Sequence, residues 1–284
     1  MKIALGQILA TRDVEENLAM LDAAAEQAAA GNASAVVFPE ASMLSLDGSL
    51  LELTAAHHEE WETGLAQIAT RHQITVIAGG FAPADGLASE ESAEPEDDDD
   101  RDATPRVVNQ IRVVRPGGEH SSYTKIHLYD AFGFQESRTV APGDALGLVD
   151  IDGVRVGLTC CYDVRFPKLF AELSRAGAQV ILVPASWAGG EGKVNQWQLL
   201  TSARALDSNT FVVAVDQADP RTLNSDADWT RPLGVGHSRV VSPFGETVAE
   251  LGAAARLEIV EIDLDQVERA RTAIPVLDNA KLGY

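Results

Sequence analysis

The distribution of apolar and polar positions along this chain predicts strands and helices in alternation. Lys2 to Gln7 reads as a strand, Val14 to Ala30 as an Ala-rich amphipathic helix, and Ala35 to Phe38 as a short buried strand that runs into Pro39-Glu40. A second helix, roughly Ala55 to His72, leads into a strand over Ile74 to Ala78. Val107 to Val114 and Ser121 to Lys125 read as a hairpin, because Pro116-Gly117-Gly118 between them is turn chemistry. A long loop, Ile126 to Gly143, precedes paired strands at Gly147 to Ile151 and Val154 to Thr159. There follow a helix (Pro167 to Ala176), a strand (Val180 to Pro184), a helix (Asn195 to Ser208) and a strand (Phe211 to Asp216). Strands over His237 to Ser242, Glu246 to Leu251 and Glu258 to Asp263, then a last helix and a tail, complete the chain.

Strands separated by helices imply an α/β fold, with a parallel or mixed sheet covered by helices. The stretch from Val107 to Thr159 has strands without helices and therefore needs antiparallel pairing as well. The strands outnumber what one sheet holds comfortably, so two stacked mixed sheets with helices on both outer faces are expected. No linker divides the sequence, which predicts a single domain over 1–284.

Composition changes this picture in three ways. The 284 residues are 45% hydrophobic and 23% charged, the make-up of a soluble globular protein with a sizeable core. No apolar run approaches the ~18 residues a membrane span needs, and the N-terminal run is too short for a signal peptide, so a cytoplasmic protein without a membrane partner is expected. The formal charge of −21 is unevenly spread: Asp85 to Asp102 holds ten acidic residues and one Arg. Such a run repels itself and stays solvated, which marks an acidic loop insertion over 85–105. A basic face for nucleic acid is missing from this balance, so no nucleic-acid partner is expected.

The two cysteines, Cys160 and Cys161, are adjacent, so neither a disulfide framework nor a C-x-x-C metal pair is available. The six His show no zinc spacing, and His57-His58-Glu59-Glu60 reads as an exposed helix face. No metal and no cofactor is therefore called for. What remains is a set of reactive groups at strand exits: Glu40 after Val36-Val37-Phe38-Pro39, Lys125 after Ser122-Tyr123-Thr124, and Cys161 after Gly157-Leu158-Thr159-Cys160. Open α/β sheets expose reactive side chains at the carboxyl ends of their strands. A carboxylate, an ammonium and a thiol at one sheet edge could perform acyl transfer, since a thiol needs a base or a cation to become a nucleophile. Each residue also has an ordinary role open to it: Glu40 as a cap or an Arg partner, Lys125 as a surface charge, Cys161 as a small buried side chain. Cys160 is read as a buried side chain, because neighbouring strand residues point to opposite faces. A Cys-His pair using His127 or His237 is a further alternative.

Taken together, three segments resemble the nitrilase superfamily of carbon–nitrogen hydrolases: Val36-Val37-Phe38-Pro39-Glu40, Tyr123-Thr124-Lys125-Ile126-His127-Leu128 and Gly157-Leu158-Thr159-Cys160-Cys161-Tyr162-Asp163-Val164-Arg165-Phe166-Pro167. Pro184-Ala185-Ser186-Trp187, Ala203-Arg204-Ala205, Gly236-His237-Ser238 and Ser242-Pro243-Phe244-Gly245 extend the likeness over nearly the whole chain. The resemblance implies a four-layer α-β-β-α sandwich, a Glu40-Lys125-Cys161 triad, and Glu136 as a second glutamate that positions the lysine and water. It also implies a homodimer, with the tail over 274–284 at its interface. The continuation Tyr162-Asp163-Val164-Arg165-Phe166 looks like the Nit-type branch, which includes omega-amidases and deaminated-glutathione amidases acting on small amides that carry a carboxylate. Tyr162, Arg165 and Trp187 are the substrate-binding residues expected on that reading, although Arg165 could instead be locked to Asp163 or Glu40. An N-carbamoyl amino acid amidohydrolase, a nitrilase, and a non-catalytic scaffold of the same fold are the alternatives.

Overall fold

The computed structural model describes residues 1–46, 49–84, 105–228 and 230–281. Most of the acidic insertion expected over 85–105 lies outside the described residues. Seven strands form one mixed sheet. Its parallel heart is β1 (Lys2–Gln7), β2 (Ala35–Val37) and β3 (Thr75–Pro83); β4 (Val107–Val114) and β5 (His120–Thr124) extend it antiparallel on one side. A two-residue ladder, β6 (Asp130–Ala131) with β7 (Phe134–Gln135), stands apart, and β8 (Val140–Ala141) runs parallel to β4. The second sheet follows the same logic. β9 (Gly147–Ile151) pairs antiparallel with β10 (Val154–Leu158), which continues in parallel to β11 (Val180–Ala185) and β12 (Phe211–Asp216). Antiparallel β13 (Arg239–Val241) and β14 (Thr247–Glu250) close it, while β15 (Arg256–Glu261) returns to the first sheet beside β1.

Alternation along β1 shows how the layers form. Ile3 and Leu5 join the core between the sheets, with Val37, Ile77, Val156, Leu158 and Leu182, whereas Ala4 faces the opposite way into a cluster with Leu21, Trp61 and Leu65. That second cluster is the seat of α1 (Val14–Ala30) and α2 (Leu50–His72), whose apolar stripes cover the outer face of the first sheet. α1 starts where Asp13 accepts the N–H of Glu16, a side-chain cap. On the far side, α3 (Pro167–Arg175) and α4 (Lys193–Ser208) place Leu169, Phe170, Leu173 and Trp197 against the second sheet. The result is the α-β-β-α sandwich that the sequence implied. α5 (Asp265–Ala273) and the short α6 (Val276–Asn279) follow. Among the described residues no helix is long and apolar enough to cross a membrane.

Most boundaries shift by one or two residues, the expected loop over 126–143 contains β6, β7 and β8, and the largest extensions are at α2 and β3. α2 begins at Leu50, a turn before Ala55. β3 continues beyond Ala78 to Pro83, through Gly79-Gly80, because it pairs with β4 from Val76 to Pro83. Glycine weakens a strand interior locally. Here a Cβ on Gly79 would sit 2.5 Å from the Cα of Glu40, so only glycine lets the backbone that carries this glutamate cross the strand.

Candidate active site

Four strand ends converge where the two sheets meet. β2 delivers Glu40, β5 delivers Lys125, β10 delivers Cys160 and Cys161, and β11 delivers Ser186 and Trp187. Pro167 at the first position of α3 ends the 3-10 turn Cys161–Arg165 and opens the next helix, since the missing N–H of proline costs nothing there. Cys161 itself has φ 46°, in the left-handed region that non-glycine residues seldom occupy. Asp163, fully buried, holds the turn in that shape: it accepts the Cys160 N–H (2.8 Å), the Tyr123 hydroxyl (2.7 Å) and the His127 N–H (3.1 Å), and pairs with His127 Nδ1 (2.7 Å).

Around Glu40 the polar groups are tightly matched. Lys125 Nζ donates to Glu40 Oε1 at 2.8 Å and to both oxygens of Glu136 at 3.1 and 2.9 Å. Asn109 Nδ2, from the middle of β4, bridges the two glutamates at 2.8 and 3.1 Å. The Ser186 N–H donates to Glu40 Oε2 at 3.0 Å, and the Tyr129 N–H to Glu136 Oε2 at 2.7 Å. The Cys161 thiol lies within electrostatic reach of Glu40, and its Sγ is 3.9 Å from the Ser186 carbonyl oxygen. Asp216, at the end of β12, fixes the neighbouring loop by accepting the N–H groups of Trp187 and Val235, each at 2.8 Å.

Burial alone would raise the pKa of Glu40, but the charge and hydrogen bond of Lys125, aided by Cys161 and Asn109, hold it below the ordinary 4.5. Burial alone would lower Lys125, yet Glu136 and Glu40 together keep it well above 10.5. Burial pushes Cys161 well above 9.0, Glu40 adds to that, and Lys125 only partly opposes it. The resting state at neutral pH is thus a neutral thiol beside an ionised glutamate and a charged lysine. A thiol becomes a nucleophile by giving up its proton.

These groups form the floor of a cleft of about 580 Å³, counted with its open mouth. Tyr129, Phe134, Tyr162, Arg165, Trp187 and Lys193 stand in its walls. The structure therefore brings together Glu40, Lys125, Cys161 and Glu136, and places Tyr162, Arg165 and Trp187 beside them. One expectation and two alternatives need correction. Arg165 is locked to neither Asp163 nor Glu40: it donates to Gln196 Oε1 at 3.0 Å, and its Cζ lies 5.0 Å from the Trp187 ring and 5.8 Å from that of Tyr162. Cys160 is fully buried, yet it turns towards the site, with its Sγ 3.3 Å from Glu40 Oε1; the left-handed twist at Cys161 breaks the strict strand alternation. His127 does not stand in the cleft; it stacks on Phe166 with centroids 3.7 Å apart and serves Asp163. Asn109, Asp163, Ser186 and Lys193 were not foreseen. The stretch Val107 to Val114 also carries Gln110 and Arg112, so its pattern alone does not single out Asn109. Among the described residues no group of three or more His, Cys, Asp or Glu is placed to hold a metal ion.

This geometry has counterparts. The family model described as carbon-nitrogen hydrolase matches residues 2–272. The chain is 46% identical over 285 residues to hydrolase Rv0480c of Mycobacterium tuberculosis, covering 98% of this chain and 95% of that one. It is 30% identical to deaminated glutathione amidase of Escherichia coli O157:H7, over 99% and 97% of the two chains. A solved amidase from Nesterenkonia sp. AN1, a mutant carrying acrylamide added at its active-site cysteine, superposes with a TM-score of 0.74 at 25% identity, over 97% and 98% of the chains.

Proposed function

The chain belongs to the carbon–nitrogen hydrolase family, and from that premise we propose that it hydrolyses a small carboxylate-bearing amide through a thioester on Cys161, releasing ammonia. The observation that carries this reading is the meeting of Glu40, Lys125 and Cys161 at the floor of one cleft. Cys161 Sγ attacks the amide carbon while its proton passes to Glu40. The negative charge that develops on the carbonyl oxygen is held by the Lys125 ammonium and the Tyr162 N–H. Collapse breaks the C–N bond, Glu40 returns the proton to the departing nitrogen, and ammonia leaves a thioester on Cys161. Water then gives a proton to Glu40 and attacks the thioester; the thiol is re-formed and the acid released. Glu136 and Asn109 keep Lys125 and Glu40 in register throughout.

The carboxylate preference is supported by Arg165, a guanidinium in the cleft wall that donates to the neutral side chain of Gln196. The working assembly we propose is a cytoplasmic homodimer with the tail from Ile274 at its interface, which sedimentation of the purified protein tests directly. For the reaction, ammonia release is measured with succinamate, butyramide, an N-carbamoyl amino acid and a simple nitrile. Turnover of succinamate well above the other three is expected, and lost in Cys161→Ala. Turnover confined to the nitrile or the carbamoyl compound would replace this reading by the corresponding alternative, and no turnover at all would favour a non-catalytic scaffold.

A further inference from the structure

The cleft is electrically polar. Its floor carries two glutamates and one lysine, so the fixed charge there is negative before any substrate arrives. Its wall carries Arg165 and Lys193, and among the described residues neither forms an ion pair. Lys193 is the first residue of α4, after a loop in which Gly190 and Gly192 both take positive φ (127° and 73°). Trp187 ties this corner together, offering one ring to Arg165 and donating its indole N–H to the Lys193 carbonyl at 3.1 Å. The Lys193 ammonium rests 3.8 Å from the centroid of the exposed Phe132 ring, a contact that orients the charge without neutralising it. Burial and then the nearby Arg165 lower Lys193 from its ordinary 10.5, while Cys161 acts in the opposite sense, so this ammonium is within electrostatic reach of both the guanidinium and the nucleophile.

We propose that Lys193 is a specificity-determining residue: with Arg165 it forms a two-cation subsite on the cleft wall that binds a carboxylate of the substrate distal to the scissile amide. The inference rests on the amide-hydrolase reading above. An anion entering this cleft is repelled by the glutamates of the floor and drawn to the wall, which turns the uncharged amide end of the same molecule towards Cys161. Two like charges held near each other without a counter-ion repel, and a carboxylate bound between them relieves that repulsion. A neutral amide of equal length gains nothing from the wall.

The test is the ratio of kcat/KM for succinamate to that for butyramide, measured in the full-length protein and in three variants. Removing one charge-assisted partner costs roughly tenfold or more. Lys193→Met is therefore expected to lower the ratio by about tenfold, chiefly through KM for succinamate, and Lys193→Arg to restore most of it. Phe132→Leu removes the ring beneath the ammonium but not the charge, and is expected to change the ratio by about twofold or less. An unchanged ratio in Lys193→Met, with both amides still hydrolysed, would overturn this inference and leave the amidase reading intact. A loss in Phe132→Leu equal to that in Lys193→Met would overturn it in favour of a steric latch. If the unmodified protein hydrolyses neither amide, both readings fall.

Discussion

Lys125 Nζ stands 2.8 Å from Glu40 Oε1, and neither side chain is more than 2% exposed. A pair so completely withdrawn from water is a poor device for stability alone, since desolvation offsets most of its Coulombic gain. Breaking it from one side is another matter. Lys125→Ala leaves Glu40 and Glu136 facing each other without a cation, and should destabilise the fold by about 3 kcal/mol. It should also lower kcat about a hundredfold or more, as loss of an oxyanion donor does elsewhere. Urea unfolding together with ammonia-release kinetics checks both; a variant with full turnover would remove Lys125 from the reaction.

The pKa directions fix the sign of the pH dependence. Glu40 lies below its ordinary 4.5 in the folded protein, so its contribution is present above that value and is lost as pH falls through the folded value. Lys125 and Cys161 lie above 10.5 and 9.0; their contributions are present below those values and are lost as pH rises through the folded ones. The urea midpoint should therefore fall at both ends of the range, and Glu40→Gln should flatten the acid limb. An acid limb identical in that variant would show that other carboxylates govern it.

Asp163 touches no part of the cleft, yet its loss should be felt there. Asp163→Ala strands the donors of Cys160, Tyr123 and His127 and releases the left-handed turn at Cys161. A destabilisation of about 3 kcal/mol is expected, with kcat falling more than KM rises. Wild-type kcat in a folded Asp163→Ala protein would show that the turn holds its shape unaided.

Much of this site was legible in the sequence because strand exits are local features. An apolar run that ends in Pro39-Glu40, and another that ends in Cys160-Cys161 before Pro167, announce both the strand and the residue it delivers. Strands β1 and β4 and helix α1 carry their own signals in the same way, and their bounds follow from pattern alone. What pattern could not supply came from contacts distant in sequence. β3 runs on past Ala78 because it pairs with β4, position 79 is glycine because the Glu40 backbone crosses there, and Asn109 is polar because it serves glutamates on two other segments. The sequence pattern starts α4 at Asn195 rather than Lys193, because two positive-φ glycines stand just before the true start. Strand alternation turns Cys160 away from the site, but β10 ends at Leu158 and the alternation does not extend to Cys160.

The two adjacent thiols give the most direct test of the whole account. The purified protein is mixed with excess succinamate, quenched in acid within one turnover, digested and weighed by mass spectrometry. The acyl group of the substrate should appear on Cys161 alone; Cys160→Ala should still form the adduct, and Cys161→Ala should neither form it nor turn over. An adduct on Cys160, or undiminished turnover in Cys161→Ala, would contradict the assignment of Cys161 as the nucleophile.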